Sequence, residues 1–185
     1  MRNRLLTWMS AAVAAGALTL APMTALAQKV VSTTPGKGGS PHETVEYTVG
    51  DATVTLVYGR PYLKGRALAT LAPNGKVWRT GADEATTMTT TKDLTIGSLA
   101  VPAGTYTLYT LPAASGWKLI VNKQTKQWGT VYQEDQDLGR VDMMSSKLTK
   151  PAEQLTLAVV GKAGAQTLEI HWGDVRQSVP ISVKK

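Results

Sequence analysis

TVEYTVGDATVTLVY, Thr44 to Tyr58, consists of two alternating runs joined by Gly50-Asp51. Val45, Tyr47 and Val49 fall on one face of the first run, and Val54, Leu56 and Tyr58 on one face of the second. A period of two puts successive side chains on opposite faces of a pleated strand, and a two-residue link containing glycine between such runs signals an antiparallel hairpin. The pattern continues down the chain. Strands are predicted near 85–91, 94–100, 104–111 and 117–123, with a further one over 127–133 and a less regular one over 138–148. Leu155, Leu157 and Val159, then Leu168, Ile170 and Trp172, keep the period on either side of a turn at 161–164, and the run VRQSVPISV follows. Frequent threonine, valine and tyrosine with regularly spaced turn residues predict an all-β fold. The expected architecture is an antiparallel β-sandwich, immunoglobulin-like or jelly-roll-like, with at most one short helix near 67–71. Tyr106, just after the turn Pro102-Ala103-Gly104, is placed either as a tyrosine corner or as a core residue of a plain hairpin.

The N-terminus has a different character. Arg2 and Arg4 precede an apolar, alanine-rich run from Leu5 to Leu20, then Pro22 and the small-residue site Ala25-Leu26-Ala27. This order predicts a cleaved signal peptide over 1–27 and a periplasmic or secreted chain beginning at Gln28. Residues 28–41, rich in Gly, Ser, Thr and Pro, are expected to be a flexible lead-in, and 42–185 a single β-sandwich domain. No later stretch is apolar enough to suggest a membrane span. With no cysteine, the domain must stand on packing rather than disulfides.

Charge is unevenly distributed. After the signal segment 18 of the 20 Lys and Arg remain, against 13 Asp and Glu. Between Ala52 and Ala82 lie Arg60, Lys64, Arg66, Lys76 and Arg79, and no acid, so the net charge of the exported chain resides in this one segment. Gly59, Gly65 and Gly75 mark three turns that would present these cations with exposed backbone amides between them, a combination suited to binding anions. Trp78 offers a flat apolar face beside Arg79. Arg60, Lys64, Arg66, Trp78 and Arg79 are therefore the candidate ligand-binding residues, with Tyr58, Asp83 and Glu84 supporting. The competing reading is structural: arginines bonded to carbonyls across a sandwich end, and Trp78 as a plug in its mouth.

Sequence motifs for nucleotide, dinucleotide, zinc-protease and serine-hydrolase chemistry are absent. His42 and His171 are expected on the surface, and no metal or cofactor is expected. Asp83 and Glu84, if they continue into a strand, point to opposite faces and would instead clamp Arg79 or Arg66.

Y-x-R-P-x-x-K-G-R (Tyr58 to Arg66), W-R-T-G-A-D-E-A-T (Trp78 to Thr86), P-A-G-T-Y-T-L-Y (Pro102 to Tyr109), Trp117 and Asn122-Lys123 together resemble the exported bacterial family known as domain of unknown function 2911. The resemblance covers about residues 40 to 183. It implies a single exported β-domain, a hydrogen-bonding rather than acidic role at Asp83, where the family commonly has Asn, and no established activity. The expected function is non-catalytic binding of an anionic small molecule or envelope glycan through the basic loops. A hydrolase or isomerase acting on a carboxylated or phosphorylated substrate, with Asp83 or Glu84 as acid/base, is one alternative. A structural or protein-interaction module of the envelope is the other. Nucleic acid is not an expected partner, since the charge is local and no recognition motif accompanies it.

Overall fold

A computed structural model describes residues 28–185; the expected signal peptide, 1–27, lies outside the described residues. Eleven strands form two antiparallel sheets. The larger has the order β1 (Lys29–Pro35), β2 (Pro41–Val49), β3 (Ala52–Gly59), β4 (Thr87–Thr90), β7 (Gly104–Leu111), β8 (Lys118–Asn122) and β9 (Asp137–Asp142). The smaller has the order β10 (Met144–Lys162), β11 (Ala165–Val183), β5 (Leu94–Ile96) and β6 (Leu99–Val101). The two sheets do not close into a barrel, and the fold is an all-β sandwich. The short helix α1 spans Leu68–Leu71, and a 3-10 turn at Glu134–Gln136 is an addition the sequence did not suggest.

The core follows the alternation. Val45, Tyr47, Val49, Val54, Leu56 and Tyr58 are all buried, and they face Leu155, Leu157, Val159, Leu168, Ile170 and Trp172 from the smaller sheet. Burial of these aliphatic and aromatic side chains is the main stabilising term, at roughly 1.5–3 kcal/mol for each fully buried side chain. Tyr47 and Tyr58 also bridge the sheets: the Tyr47 hydroxyl donates to the Leu157 carbonyl (3.0 Å), and the Leu157 N–H donates to the Tyr58 hydroxyl (3.2 Å). They thereby satisfy backbone groups on the outer edge of β10 that no neighbouring strand would reach.

Three local differences from the sequence reading have physical causes. The lead-in is not a loose tail: Lys29–Pro35 pairs with β2 as an edge strand. All seven of its side chains are exposed, so backbone pairing alone holds it and no alternation of hydrophobicity betrays it. The run 94–100 is a hairpin rather than one strand, because Gly97 takes a φ of +58° and turns the chain. The run 127–133 is a loop whose only ladder contact is an isolated bridge from Trp128 to Glu84.

Tyr106 makes the corner. Its hydroxyl donates to the Pro102 carbonyl at 3.0 Å, four residues upstream, pinning the crossing from β6 to β7. Tyr106→Phe should cost about 1 kcal/mol in chemical denaturation with an unchanged m-value. An unchanged midpoint would show that the bond adds nothing to stability.

Candidate functional site

Where β4 ends, the chain's earlier segment takes its place beside β7. Trp78 and Thr110 exchange backbone hydrogen bonds (2.7 and 2.9 Å), and the Leu108 N–H donates to the Thr86 carbonyl (2.8 Å). This short bridge imposes strand alternation on Val77-Trp78-Arg79. Trp78 turns inward, stacked on Trp172 (centroids 5.2 Å apart, planes 13° from parallel) and edge-on to Trp117 at 6.0 Å. Arg79 turns the other way, onto the outer face of the larger sheet.

The five residues first suggested for ligand binding thus meet different surroundings. Arg60 is enclosed: it pairs with Glu43, its Nε donates to the Leu155 carbonyl (3.0 Å) and its Nη2 to the Thr156 hydroxyl (2.9 Å). Residues 61–63 run alongside, with Leu63 N–H bonded to the Glu153 carbonyl and Leu155 N–H to the Pro61 carbonyl. The first part of the basic segment is therefore a strap over the edge of β10, and Tyr58 beneath it is buried. Arg66 folds back on its own turn, donating to the carbonyls of Leu63 (2.9 Å) and Tyr62 (2.8 Å), and Lys64 is exposed. Trp78 and Arg79 line one cavity, which Arg60, Lys64 and Arg66 do not line.

That cavity has a volume of about 260 Å³ and is walled by Leu71, Val77, Trp78, Tyr109, Gly129, Thr130 and Tyr132. Arg79 is the one charged residue in its lining. Its Nε donates to the Gly81 carbonyl (3.2 Å), and among the described residues its two terminal nitrogens have no hydrogen-bond partner or carboxylate. The Tyr109 hydroxyl donates to the Val131 carbonyl (2.6 Å), and Tyr132 to Asp137 (2.8 Å). Burial raises the Tyr109 phenol above its usual range, and burial followed by Asp137 pushes Tyr132 up to about 12. Both walls stay neutral, so nothing in the lining cancels the guanidinium. Gly129 is required here, because a Cβ would lie 2.6 Å from the Arg79 Cδ and 2.8 Å from the Asp83 carbonyl oxygen.

The loop that aims Arg79 is strained. Thr80 (φ +53°) and Asp83 (φ +61°) both occupy the left-handed region. For a β-branched threonine this costs on the order of 1–3 kcal/mol and persists only when the surroundings enforce it. They do: the Thr80 hydroxyl bonds to the Trp78 carbonyl (3.3 Å) and the Thr110 hydroxyl (3.2 Å), and its carbonyl accepts from Thr86 (3.0 Å).

Asp83 and Glu84 do not clamp the arginines. Because Asp83 is left-handed rather than extended, the two carboxylates reach the same neighbour, His42, whose Nε2 lies 3.1 Å from Asp83 Oδ2 and 3.8 Å from Glu84 Oε2. Asp83 is buried and accepts from the Gly38 N–H (3.1 Å), and Lys37 pairs with Glu84 Oε1 at 3.1 Å. Glu84's own N–H, and then Lys37, hold its carboxyl below the usual glutamate range. His42 is mostly covered and not the surface histidine expected. His171 lies 2.6 Å from Glu169. The sequence reading missed Lys37, His42 and the loop residues Trp128, Gly129 and Tyr132. The one local signal was the glycine-rich run before His42, since its partner stands 41 residues away.

Residues 40–181 match the family described as protein of unknown function (DUF2911). The chain belongs to the DUF2911 family. The matched residues span ten of the eleven strands and both clusters, β1 and Lys37 to Gly39 excepted. No curated protein and no solved structure matches the chain. Among the described residues of this DUF2911 protein, no helix is long and apolar enough to cross a membrane.

Proposed function

We propose that this DUF2911 protein is an exported binding domain for a small anionic ligand of sugar-acid or sugar-phosphate type, held in the cavity under Arg79. One observation carries the reading. Of the segment's cations, Arg79 is half-buried, lines a cavity with uncharged walls and, among the described residues, keeps both terminal guanidinium nitrogens free of protein partners. A planar guanidinium with two free N–H edges suits bidentate recognition of a carboxylate or phosphate. Tyr132, partly exposed in the lining, supplies a flat aromatic surface for a sugar ring. A volume of about 260 Å³ limits the occupant to a single small unit. The signal peptide that the sequence predicts over 1–27 would bring the domain outside the cytoplasm, where envelope polymers are a source of sugar acids.

Calorimetric titration with galacturonate, a hexose phosphate and neutral galactose tests this. At least one of the two anions should bind, and galactose should not. Arg79→Gln should weaken that binding by at least about tenfold, the loss expected for charge-assisted hydrogen bonds, while Arg66→Gln leaves it within about twofold. No binding of either anion, or equal losses in the two variants, would overturn the reading.

A further inference from the structure

We propose that His42, Asp83 and Glu84 form a second site, for a first-row divalent metal ion of the zinc class. The three residues come from the start of β2 and from the strained loop after Arg79, and one ligand atom from each lies within 4.8 Å of the others. His42 Nε2 stands 3.1 Å from Asp83 Oδ2 and 3.8 Å from Glu84 Oε2. Metal bonds of about 2.0–2.2 Å place neighbouring donors on a tetrahedral or octahedral shell roughly 3.0–3.6 Å apart. These side chains need only small rotamer changes to accept an ion.

The donor types select the metal. One imidazole nitrogen with two carboxylate oxygens suits Zn²⁺ or Mn²⁺, whereas Ca²⁺ asks for six to eight oxygens, on the order seen in dedicated loops. With His42 neutral, the two carboxylates and Lys37 leave a net negative site, which favours a cation. Three protein donors leave coordination positions open, as exchangeable and catalytic zinc sites do and closed structural sites do not.

The ligands are held from behind. The Gly38 N–H donates to Asp83, and Lys37 occupies one Glu84 oxygen while the other faces His42. Such outer contacts fix the orientation of metal ligands. The turn over the cluster has no space for a side chain at Gly36 or Gly38: a Cβ at Gly36 would lie 2.6 Å from both Asp83 Oδ2 and His42 Cδ2, and one at Gly38 would lie 2.5 Å from Asp83 Oδ1. Glu84 is half exposed and gives the ion a route in. The pair His171–Glu169 serves as an internal comparison, because it offers two donors and not three.

Zn²⁺ titration of the chelator-treated protein near neutral pH, followed by calorimetry and native mass spectrometry, decides the matter. The expected result is one saturable equivalent. Glu84→Gln should weaken it by at least about tenfold, His42→Asn should abolish it, and His171→Asn should leave it unchanged. Glu84 is exposed enough that its variant should fold, so Glu84→Gln decides alone if His42→Asn does not fold. No saturable uptake, uptake unaffected by Glu84→Gln, or loss in His171→Asn would each overturn the proposal.

Discussion

Trp78→Ala should lower the stability of the domain by about 4 kcal/mol, within the range of roughly 3–5 kcal/mol for removing a buried tryptophan. The indole lies between the sheets, stacked on Trp172 and edge-on to Trp117, and is only 8% exposed. Its removal leaves a cavity bounded by two rigid rings that cannot collapse into it, so the cavity cost adds to the lost transfer free energy. Aromatic pairs of this kind contribute about 0.5–1.5 kcal/mol beyond burial, and two are lost together. Urea unfolding followed by circular dichroism measures the effect. A loss below about 1 kcal/mol would mean that Trp78 is not seated in the core and remains available as a ligand platform.

Arg60→Met should be similarly severe, at about 3–5 kcal/mol, because it leaves Glu43 charged and enclosed without its partner. The Leu155 carbonyl and the Thr156 hydroxyl lose their donors as well. The cost comes mainly from the orphaned carboxylate, so removing both charges should recover much of it. Arg60→Met/Glu43→Leu is expected to be considerably more stable than Arg60→Met alone. A double variant as unstable as the single one would locate the loss in the strap over β10 and not in the ion pair. Either way Arg60 acts on folding, in contrast to Arg79→Gln, which should leave the unfolding midpoint close to that of the parent.

These contrasts show what the sequence could and could not reveal. The sandwich was legible because Val45 to Tyr58 and Leu155 to Trp172 carry their burial in a period of two. The strand β1 was not, since a strand held by backbone pairing alone has no side-chain signature. The basic segment was legible as an anomaly of charge, but its division into parts was not. Arg60 and Arg79 look alike in the sequence. Only the folded chain puts Glu43 and the edge of β10 beside the first, and an uncharged aromatic wall beside the second. The pairing of His42 with Asp83 depends on a left-handed backbone at Asp83, which strand periodicity would have read as extended.

The most direct test of the central claim is a titration with the anion found to bind, followed by ¹⁵N nuclear magnetic resonance of backbone amides and arginine Nε groups. The account predicts saturable shifts at Arg79 Nε and at the amides of Gly129 and Thr130, with Arg60 and Arg66 Nε unmoved. Shifts concentrated at Lys64, Arg66 and Lys76, with Arg79 silent, would contradict it and return the binding role to the exposed turns.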